Sequence, residues 1–292
     1  MCGINGALRL TPEAPALAAD ELREVRDRLE SRGPDGAGLW LSPDGRVGFG
    51  HRRLAVVDLS PAGSQPMSTE DGRFTLVFNG EIYNHRELRT ELEGRGEVFR
   101  SHGDAEVLLR LFAREDVGLF ARLEGMYAFA VWDALQARLV LARDPFGIKP
   151  LYYAEAGERL LFASQVRALE SVAGLSPALD PAGLCGFLLW GSLPEPFTLR
   201  RAVRALPAGH WLEARDGRVG EPRRHVGAYR RARVVPPREA LRAASEALTH
   251  SVAQHLQADV PVGLFLSAGL DSALIGALAR RVRSAPLPSL PP

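Results

Sequence analysis

The chain has little of what marks secreted, membrane-spanning or nucleic-acid-binding proteins. It has only two cysteines, Cys2 and Cys185, in 292 residues, too few for a disulfide framework, so a reducing compartment is the default. No apolar run approaches the roughly 20 residues of a transmembrane helix, and the N-terminus lacks a signal-peptide core. The formal net charge of +1 gives no general attraction to nucleic acid or membrane. We therefore expect a soluble, cytoplasmic protein that binds neither.

Lysine is also scarce, because Lys149 is the single lysine among 36 basic residues. The remaining composition is ordinary for a globular protein, with 46% hydrophobic and 24% charged residues. No internal repeat is visible. A chain of this length has room for about two domains.

The first residues carry a candidate nucleophile. If Met1 is removed, Cys2 bears both a thiol and a free α-amine. Their ordinary pKa values, about 8.5 and about 7.7–8.0, allow the two groups to exchange a proton near neutral pH. One residue would then supply both nucleophile and base. A cysteine at this position alone more often has no function, so the rest of the chain must decide.

Hydrophobic periodicity predicts many short strands with helices between them in the first half. The predicted strands are residues 3–10, 47–49, 54–58, 74–78, 128–133, 138–143, 151–153 and 160–163. The predicted helices are residues 21–29, 86–93, 105–114 and 184–190. Several strand pairs should be antiparallel, which favours helices packed on sheets over a doubly wound parallel sheet.

Two local interpretations follow from this pattern. The strand at 74–78 should stop at Asn79-Gly80, a pair typical of tight turns. The apolar helix at 184–190 should be buried, and Cys185 within it is interpreted as a core residue.

The amino-acid composition changes after residue 220. Residues 221–237 are rich in arginine and proline and are interpreted as an interdomain linker, with the basic run at 230–233 as a solvated face rather than a phosphate site. A helix is predicted at 238–256, a buried strand at 260–266 and a second helix at 273–282. The proline-rich tail at 284–292 is not expected to add a strand to a central sheet.

A series of short segments carries a family resemblance. In chain order they are Met-Cys-Gly-Ile at 1–4, Arg-Gly-Pro-Asp-Gly at 32–36, His-Arg-Arg-Leu-Ala-Val-Val-Asp at 51–58, Gly-Ser-Gln-Pro-Met at 63–67, Asn-Gly-Glu-Ile-Tyr-Asn at 79–84, Ser-His-Gly-Asp-Ala-Glu at 101–106 and Ala-Arg-Asp-Pro-Phe-Gly-Ile-Lys-Pro-Leu-Tyr at 142–152. Each is weak alone, but their order resembles the glutaminase domain of class II glutamine amidotransferases, which are N-terminal-nucleophile hydrolases. The resemblance implies an α+β fold, an αββα sandwich.

The same resemblance implies residue roles. Cys2 would attack the side-chain amide of glutamine, with its α-amine passing the proton to the departing ammonia. The Asn79 side chain and the Gly80 N–H would form the oxyanion hole. Arg53 would bind the substrate carboxylate and Asp104 its ammonium group.

Further groups would complete the glutamine site. They are Glu81 and the backbone of Leu54, Val56 and Val57. Taken singly, Asn79-Gly80 could be a hairpin turn, Asp104 a helix cap and Arg53 a surface cation. One departure from the family is Gly103, where a serine is frequent.

A second motif follows the predicted strand at 260–266. Ser-Ala-Gly-Leu-Asp-Ser at 267–272 resembles the pyrophosphate-binding loop of ATP-pyrophosphatase-type synthetases. Backbone N–H groups at a helix N-terminus would face the phosphates, joined by serine hydroxyls. The implied nucleotide-binding residues are Phe265, Ser267, Gly269, Leu270, Asp271 and Ser272, with Asp271 holding Mg²⁺. Ala268 replaces a glycine and fits only if its φ is negative.

Both motifs together resemble glutamine-hydrolysing asparagine synthetases. That family converts ATP, L-aspartate and L-glutamine to L-asparagine, L-glutamate, AMP and pyrophosphate. The resemblance implies ATP and Mg²⁺ as cofactors, glutamine, aspartate and ATP as small-molecule partners, and allows a homodimer. It divides the chain into a glutaminase domain at 2–220, a linker at 221–237 and the start of an α/β ATP-pyrophosphatase-type synthetase domain at 238–292.

The chain stops about twenty residues after the loop, so we expect an intact glutaminase half and an incomplete synthetase half. Two alternatives stay open, a glutaminase-only subunit that delivers ammonia to a partner, and a non-catalytic remnant of a broken gene. Phosphosugar-forming amidotransferases share the first half but should lack the loop at 267–272.

Overall fold

A computed structural model describes residues 1–226 and 235–283, and the backbone of residues 289–290. The contacts within the chain divide it into two compact units, Met1–Ala55 with Ser60–Gly227, and Val56–Leu59 with Ala228–Pro292. The predicted basic run at 230–233 lies outside the described residues. In the described part of the chain, none of the helices is long and apolar enough to cross a membrane.

Two antiparallel sheets form the first unit. The strands are β1 Gly3–Arg9, β2 Gly36–Leu41, β3 Val47–Arg53, β4 Met67–Ser68, β5 Phe74–Ile82, β6 Gly125–Asp133, β7 Arg138–Arg143, β8 Tyr152–Ala156, β9 Arg159–Ala163, β10 Arg204–Ala205, β11 His210–Arg215, β12 Arg218–Val219 and β13 Arg223–Arg224. One sheet has the order β10-β8-β9-β1-β3-β2, and the other has the order β12-β11-β7-β6-β5-β4, with β13 also paired to β11.

Helices cover the outer faces of these sheets. They are α1 Ala19–Asp27, α2 His85–Gly94, α3 Asp104–Glu115 and α4 Val166–Leu169. A further helix, α5 Pro181–Trp190, has only Gly183 and Gly186 buried. Three apolar clusters separate the layers. One joins α2 and α3 to the β5-β6 sheet, a second fills the space between the sheets, and a third joins α1 and α4 to the β1 sheet. The αββα sandwich that the sequence predicted is therefore confirmed.

β1 is a central strand of its sheet. β1 lies between β3 and β9, with Ile4 opposite His51 on one side and Asn5 opposite Ala163 on the other. Ile4 is fully buried and packs in the cluster between the sheets, with Phe49 from β3. The residue just before this strand is thus fixed by a strand that is paired along both edges.

Several local predictions are wrong. Residues 54–58 form no strand, since β3 ends at Arg53, and β2 was not predicted at all. β5 does not stop at Asn79-Gly80 but continues to Ile82, because each of its residues pairs with β6. Residues 223–224, placed in the predicted linker, pair with β11.

The predicted buried helix is also wrong in its burial. α5 exists, but its apolar side chains are largely exposed, including Leu188 at 73% and Trp190 at 69%. Cys185 is exposed rather than a core residue. Only two of the ten positions of α5, Gly183 and Gly186, are buried.

The second unit contains two helices and a short parallel strand pair. The elements are α6 Pro237–His255, β14 Leu264–Phe265, α7 Leu270–Val282 and β15 Ser289–Leu290, with β14 paired to β15. The strand predicted at 260–266 is thus reduced to two residues, and the tail, which was not expected to add a strand to a central sheet, contributes β15 to this two-stranded pair. In the described part of this unit, the buried hydrophobic residues are Leu278 and Ala279.

Candidate active site

Cys2 is held in place from two sides. The backbone N–H of Leu54 donates to Cys2 Sγ at 3.4 Å, and the thiol donates to the carbonyl oxygen of Leu54 at 3.7 Å. The guanidinium of Arg32 donates from Nε to the carbonyl oxygen of Cys2 at 2.9 Å. The turn after β3 therefore fixes the thiol, while the Arg-Gly-Pro-Asp-Gly segment fixes the backbone of Cys2.

Opposing effects act on the proton of this thiol. Burial raises the pKa of the Cys2 thiol above its ordinary value, while the Leu54 N–H and the charge of Lys149 act in the opposite direction. The charge of Asp104 adds to the increase. The α-amine in the structure belongs to Met1, and burial lowers its pKa. Once Met1 is removed, the N-terminal α-amine is that of Cys2, which lies one residue closer to Sγ.

Asn79 is a buried amide with nothing to bind. It is 1% exposed, and within the described residues neither Oδ1 nor Nδ2 has a hydrogen-bond partner. Leaving a buried polar group unpaired costs about 1–3 kcal/mol, so an unpaired buried amide needs an explanation, and a catalytic role is one of them. The amide is therefore available to a substrate oxygen.

A second hydrogen-bond donor, the N–H of Gly80, lies on the edge of β5 next to Asn79. The N–H of Phe78 donates to Gln65 Oε1 at 2.6 Å, and the N–H of Ile82 donates to Asp104 Oδ2 at 2.8 Å. Alternate N–H groups of a strand point to the same edge. The N–H of Gly80 therefore faces this edge between two donors that are already satisfied, and no partner for it is found among the described residues.

Glycine is required at position 80 by the neighbouring strand. A Cβ at Gly80 would lie 2.3 Å from the carbonyl oxygen of Met126. The structure thus supplies a packing reason in β6 for this glycine, and the N–H of Gly80 stays uncovered.

Asp104 is the first residue of α3 and is 8% exposed. Burial raises the pKa of its carboxyl to about 6, against hydrogen bonds from backbone N–H groups and the charge of Lys149. The group is therefore ionised at neutral pH and protonated in mild acid. It is suited to bind an ammonium group close to Cys2, whose pKa it influences.

The other predicted glutamine-binding residues divide between the two units. Arg53 ends β3, and its Nη1 donates to the carbonyl oxygen of Ser60 at 2.9 Å. Glu81 follows Gly80 in β5, and its charge acts on Lys149. Leu54 contacts Cys2 directly, as described above. Val56 and Val57 belong to the second unit.

Two residues near Cys2 were not predicted to be part of the site. Arg32 bonds to the backbone of Cys2, and the charge of Lys149 acts on Cys2 and Asp104. Each lies in a segment that carried the family resemblance, and Lys149 is the single lysine of the chain. Those signals could have singled out both residues.

The predicted nucleotide loop is compact and sits at the start of α7. Ser267 Oγ and Ser272 Oγ are 2.8 Å apart, and the N–H of Gly269 donates to Ser267 Oγ at 3.2 Å. Ala268 has no positive φ, which satisfies the condition set by the sequence. The N-cap residue Gly269 offers no side chain to the first N–H groups of α7.

These features fit a phosphate group. A Cβ on Gly269 would come within 3.2 Å of Ser267 Oγ, so the glycine keeps the loop clear for an anion. Within the described residues, no cluster of three or more histidine, cysteine, aspartate or glutamate side chains could hold a metal ion. Asp271 is the carboxylate that the loop itself supplies, and Mg²⁺ is commonly bound by one or two carboxylates, phosphate oxygens and water.

The layered fold and the thiol ahead of a central strand define a class of protein. An αββα sandwich with these features is the architecture of the N-terminal-nucleophile class II amidotransferases. A glutamine phosphoribosylpyrophosphate amidotransferase from B. subtilis shares the fold, with a TM-score of 0.58 and 19% sequence identity over 99% of this chain and 65% of that chain.

Comparison with known families agrees with this class. The model of the glutamine amidotransferase domain matches residues 1–225, and the chain belongs to that family. The model of asparagine synthase matches residues 243–290.

Curated relatives carry both parts. The chain is 37% identical to asparagine synthetase [glutamine-hydrolyzing] 1 of Bacillus subtilis over 96% of this chain and 44% of the relative. It is 33% identical to asparagine synthetase B [glutamine-hydrolyzing] of Escherichia coli over 96% of this chain and 45% of the relative. The chain thus spans less than half the length of these two relatives.

Proposed function

We propose that the first unit hydrolyses L-glutamine to L-glutamate and ammonia, as the amide-donating half of a glutamine-dependent asparagine synthetase. The observation that carries the proposal is the unpaired amide of Asn79 beside the free N–H of Gly80. Two donors that have no partner in a buried site are what a developing oxyanion requires. The two curated relatives named above are described as glutamine-hydrolyzing, which supports the same reaction.

The proposed reaction uses Cys2 twice. Its thiol gives a proton to the α-amine, and Sγ then attacks the side-chain carbonyl carbon of glutamine. Electrons move to the carbonyl oxygen, which Asn79 and Gly80 stabilise. When the tetrahedral intermediate collapses, ammonia leaves with the proton from the amine. Water then hydrolyses the thioester, which releases glutamate and restores the thiol.

Substrate recognition would use charge at both ends of the amino acid. Arg53 would bind the α-carboxylate of glutamine, and Asp104 would bind its ammonium group. Glu81 and the backbone of Leu54 would complete the part of the site that lies in the first unit. Discrimination against substrates without an α-ammonium group then follows from the buried charge of Asp104.

For the second part we propose a domain order of glutaminase at 2–220, linker at 221–237 and the start of the synthetase domain at 238–292. Ser267, Gly269, Leu270 and Ser272 would hold the phosphates of ATP, Asp271 would bind Mg²⁺, and Phe265 would meet the nucleotide. ATP would supply activation of the aspartate carboxylate. We extend the proposal to a cytoplasmic enzyme whose substrates are glutamine, aspartate and ATP. The proposal is compatible with a homodimer.

The glutaminase proposal is tested on purified protein whose intact mass shows that Met1 has been removed. Glutamate release from glutamine should be abolished by Cys2→Ala. The matched control is Cys185→Ala, because Cys185 is exposed on α5 and should be dispensable. A Cys2→Ala protein as active as the parent would refute the proposal.

A second candidate is a glutaminase that delivers ammonia to a separate chain. The observation in its favour is that the described part of the second unit buries only Leu278 and Ala279 among its hydrophobic residues. We expect no aspartate-dependent formation of AMP from the chain alone. Co-purification of a synthetase-like chain would favour this candidate, and AMP formation by the chain alone would argue against it.

A further inference from the structure

Lys149 is a buried cation that makes no ion pair. It is 4% exposed, and within the described residues no carboxylate oxygen lies within ion-pair distance of its ammonium group. The other two buried basic side chains differ, since Arg138 pairs with Asp116 at 2.7 Å and Arg143 with Glu195 at 2.6 Å. Burying an unpaired ammonium group is costly. A buried ammonium group without an ion pair therefore has a function, or its charge is compensated by more distant carboxylates.

The backbone of Lys149 is fixed by its own loop. Its N–H donates to Asp144 Oδ2 at 2.9 Å, and its carbonyl oxygen accepts from Arg143 Nε at 2.9 Å. Asp144 also accepts from Phe146 and Ile148, so its carboxylate is occupied with holding the loop. Gly147 has a φ of +64°, a conformation that favours glycine. Lys149 is thus presented from a rigid support.

Lys149 and Cys2 come from the same end of the β1 sheet. Tyr152 in β8 and Asn5 in β1 both pair with Ala163 of β9, and Lys149 and Cys2 each lie three residues before these positions. The charge of Lys149 therefore reaches the candidate active site. It acts on Cys2, on Asp104 and on the N-terminal amine, while Glu81 and Asp144 act on Lys149 in return. Two of these five groups, Cys2 and Asp104, belong to the proposed reaction as nucleophile and substrate-binding residue. A purely structural role would leave Cys2 unaffected by the loss of this cation.

We propose that Lys149 is a positioning residue of the glutaminase, whose buried ammonium group stabilises the thiolate of Cys2 as it attacks. The proposal rests on the proposed function of Cys2. Lys149 itself exchanges no proton. The thiol proton passes to the α-amine, the bond between sulfur and the substrate carbon forms, and the carbonyl electrons move to oxygen, while the nearby positive charge offsets the negative charge on Sγ.

Several other charged groups act on Cys2, the N-terminal amine and Lys149. Asp104 disfavours the thiolate of Cys2, and Arg32 and Lys149 favour loss of a proton from the N-terminal amine, with Asp35 opposing them. Glu81 and Asp144 keep Lys149 charged, and Arg32 acts against this. Loss of the Lys149 cation therefore removes one of the groups that favour the thiolate of Cys2. The thiolate should then form at higher pH.

The test compares Lys149→Met with Lys149→Arg in a Cys185→Ala background, so that Cys2 is the single thiol. The readout is the rate of alkylation of Cys2 by iodoacetamide as a function of pH. For Lys149→Met, we expect the midpoint of the rate to move up by about one pH unit, while Lys149→Arg stays near the parent. Arg73→Met is the control, because it removes a cation at the far end of β5, about 20 Å from Asn79.

The same variants are then assayed for glutamine hydrolysis. We expect kcat of Lys149→Met to be about tenfold lower at pH 7 and to recover at higher pH, with the shift seen in alkylation. An unchanged alkylation profile in Lys149→Met would overturn the proposal. Lys149→Gln gives the same comparison if Lys149→Met does not fold. Parent protein that alkylates normally but hydrolyses no glutamine would refute the proposed function and leave the alkylation test of Lys149 intact.

Discussion

The N–H of Ile82 donates a hydrogen bond of 2.8 Å to Asp104 Oδ2. This bond ties the end of β5 to the first turn of α3 and places the carboxylate that we propose to bind substrate beside the edge that carries the Gly80 N–H. Two elements that are separate in the sequence are joined by one side chain. The position of the Asp104 carboxyl therefore depends on the hydrogen bond, and its charge is left for a ligand.

Substitution of Asp104 by Asn should separate binding from folding. Asn keeps an oxygen for the Ile82 N–H but loses the charge. We expect the KM for glutamine at pH 8 to rise by roughly 10- to 100-fold, the value of a hydrogen bond to a charged group. For the parent, KM should rise as the pH falls through about 6, where Asp104 takes up a proton, and this increase should be absent in Asp104→Asn. Steady-state kinetics from pH 5 to 8 would show it, and a parent KM that is flat across pH 6 would contradict it.

The same substitution should stabilise the protein. Burial raises the pKa of Asp104 from 3.8 to about 6, so between these values the unfolded state binds fewer protons than the folded state. Stability contributed by this group is therefore lost as the pH rises through that window. At pH 8, Asp104→Asn should gain about 3 kcal/mol in urea unfolding. Asp133→Asn is the matched control, because the pKa of Asp133 is lowered and its loss should destabilise.

Removal of the Asn79 amide should affect catalysis rather than folding. We expect Asn79→Ala to reduce kcat by about 10²- to 10³-fold, as for loss of one oxyanion-hole donor, with a smaller change in KM. Because the amide has no partner in the described structure, thermal stability should change little. Asn84→Ala provides the contrast, since Asn84 is bonded to Arg122 and Glu124. It should lose stability and keep kcat.

His51 should make the protein sensitive to acid. It is fully buried in β3, and burial lowers its pKa from 6.5 to about 4, against the opposing effect of a hydrogen bond with the Phe78 backbone. Between these values the unfolded state binds more protons, so stability falls as the pH drops from 6.5 to about 4, by roughly 3 kcal/mol. In urea unfolding, the free energy of unfolding of His51→Leu should depend less on pH over this range than that of the parent. The exposed substitution His250→Gln should leave the pH dependence unchanged. An equal slope in parent and His51→Leu would count against it.

The exposed face of α5 should tolerate charge. Leu188 is 73% exposed and Leu189 is 74% exposed, so Leu188→Glu and Leu189→Glu should change the free energy of unfolding by less than about 0.5 kcal/mol. Leu169 in α4 is 1% exposed, and Leu169→Ala should cost about 2–5 kcal/mol. Thermal melts of the three variants decide the matter, and a large loss of stability in the glutamate variants would mean that α5 is covered in solution.

Much of the first unit could be predicted from local patterns. Alternation of apolar residues marked β6 and β7 as a hairpin, and helical spacing marked α3, because these signals depend only on the residues themselves. The αββα sandwich followed from ordered motifs rather than from periodicity.

The failures have tertiary causes. Asn79-Gly80 has strong turn chemistry, but pairing from Phe74 with Asp133 to Ile82 with Gly125 keeps both residues in β5. An all-apolar helix is normally buried, yet whether a covering layer exists cannot be read from α5 itself. The burial of Lys149 had no local signal, because it arises from a loop held by Asp144 and Arg143.

The position of Cys2 directly ahead of a strand that is paired on both edges has a practical consequence for preparation of the protein. An affinity tag ahead of Met1 would keep the α-amine in a peptide bond while leaving the thiol in place. Such material should fold normally, react with thiol reagents and still be inert towards glutamine. In the proposed mechanism, removal of the N-terminal methionine is a maturation step, and a tag at the C-terminus is the appropriate choice for the assays described above.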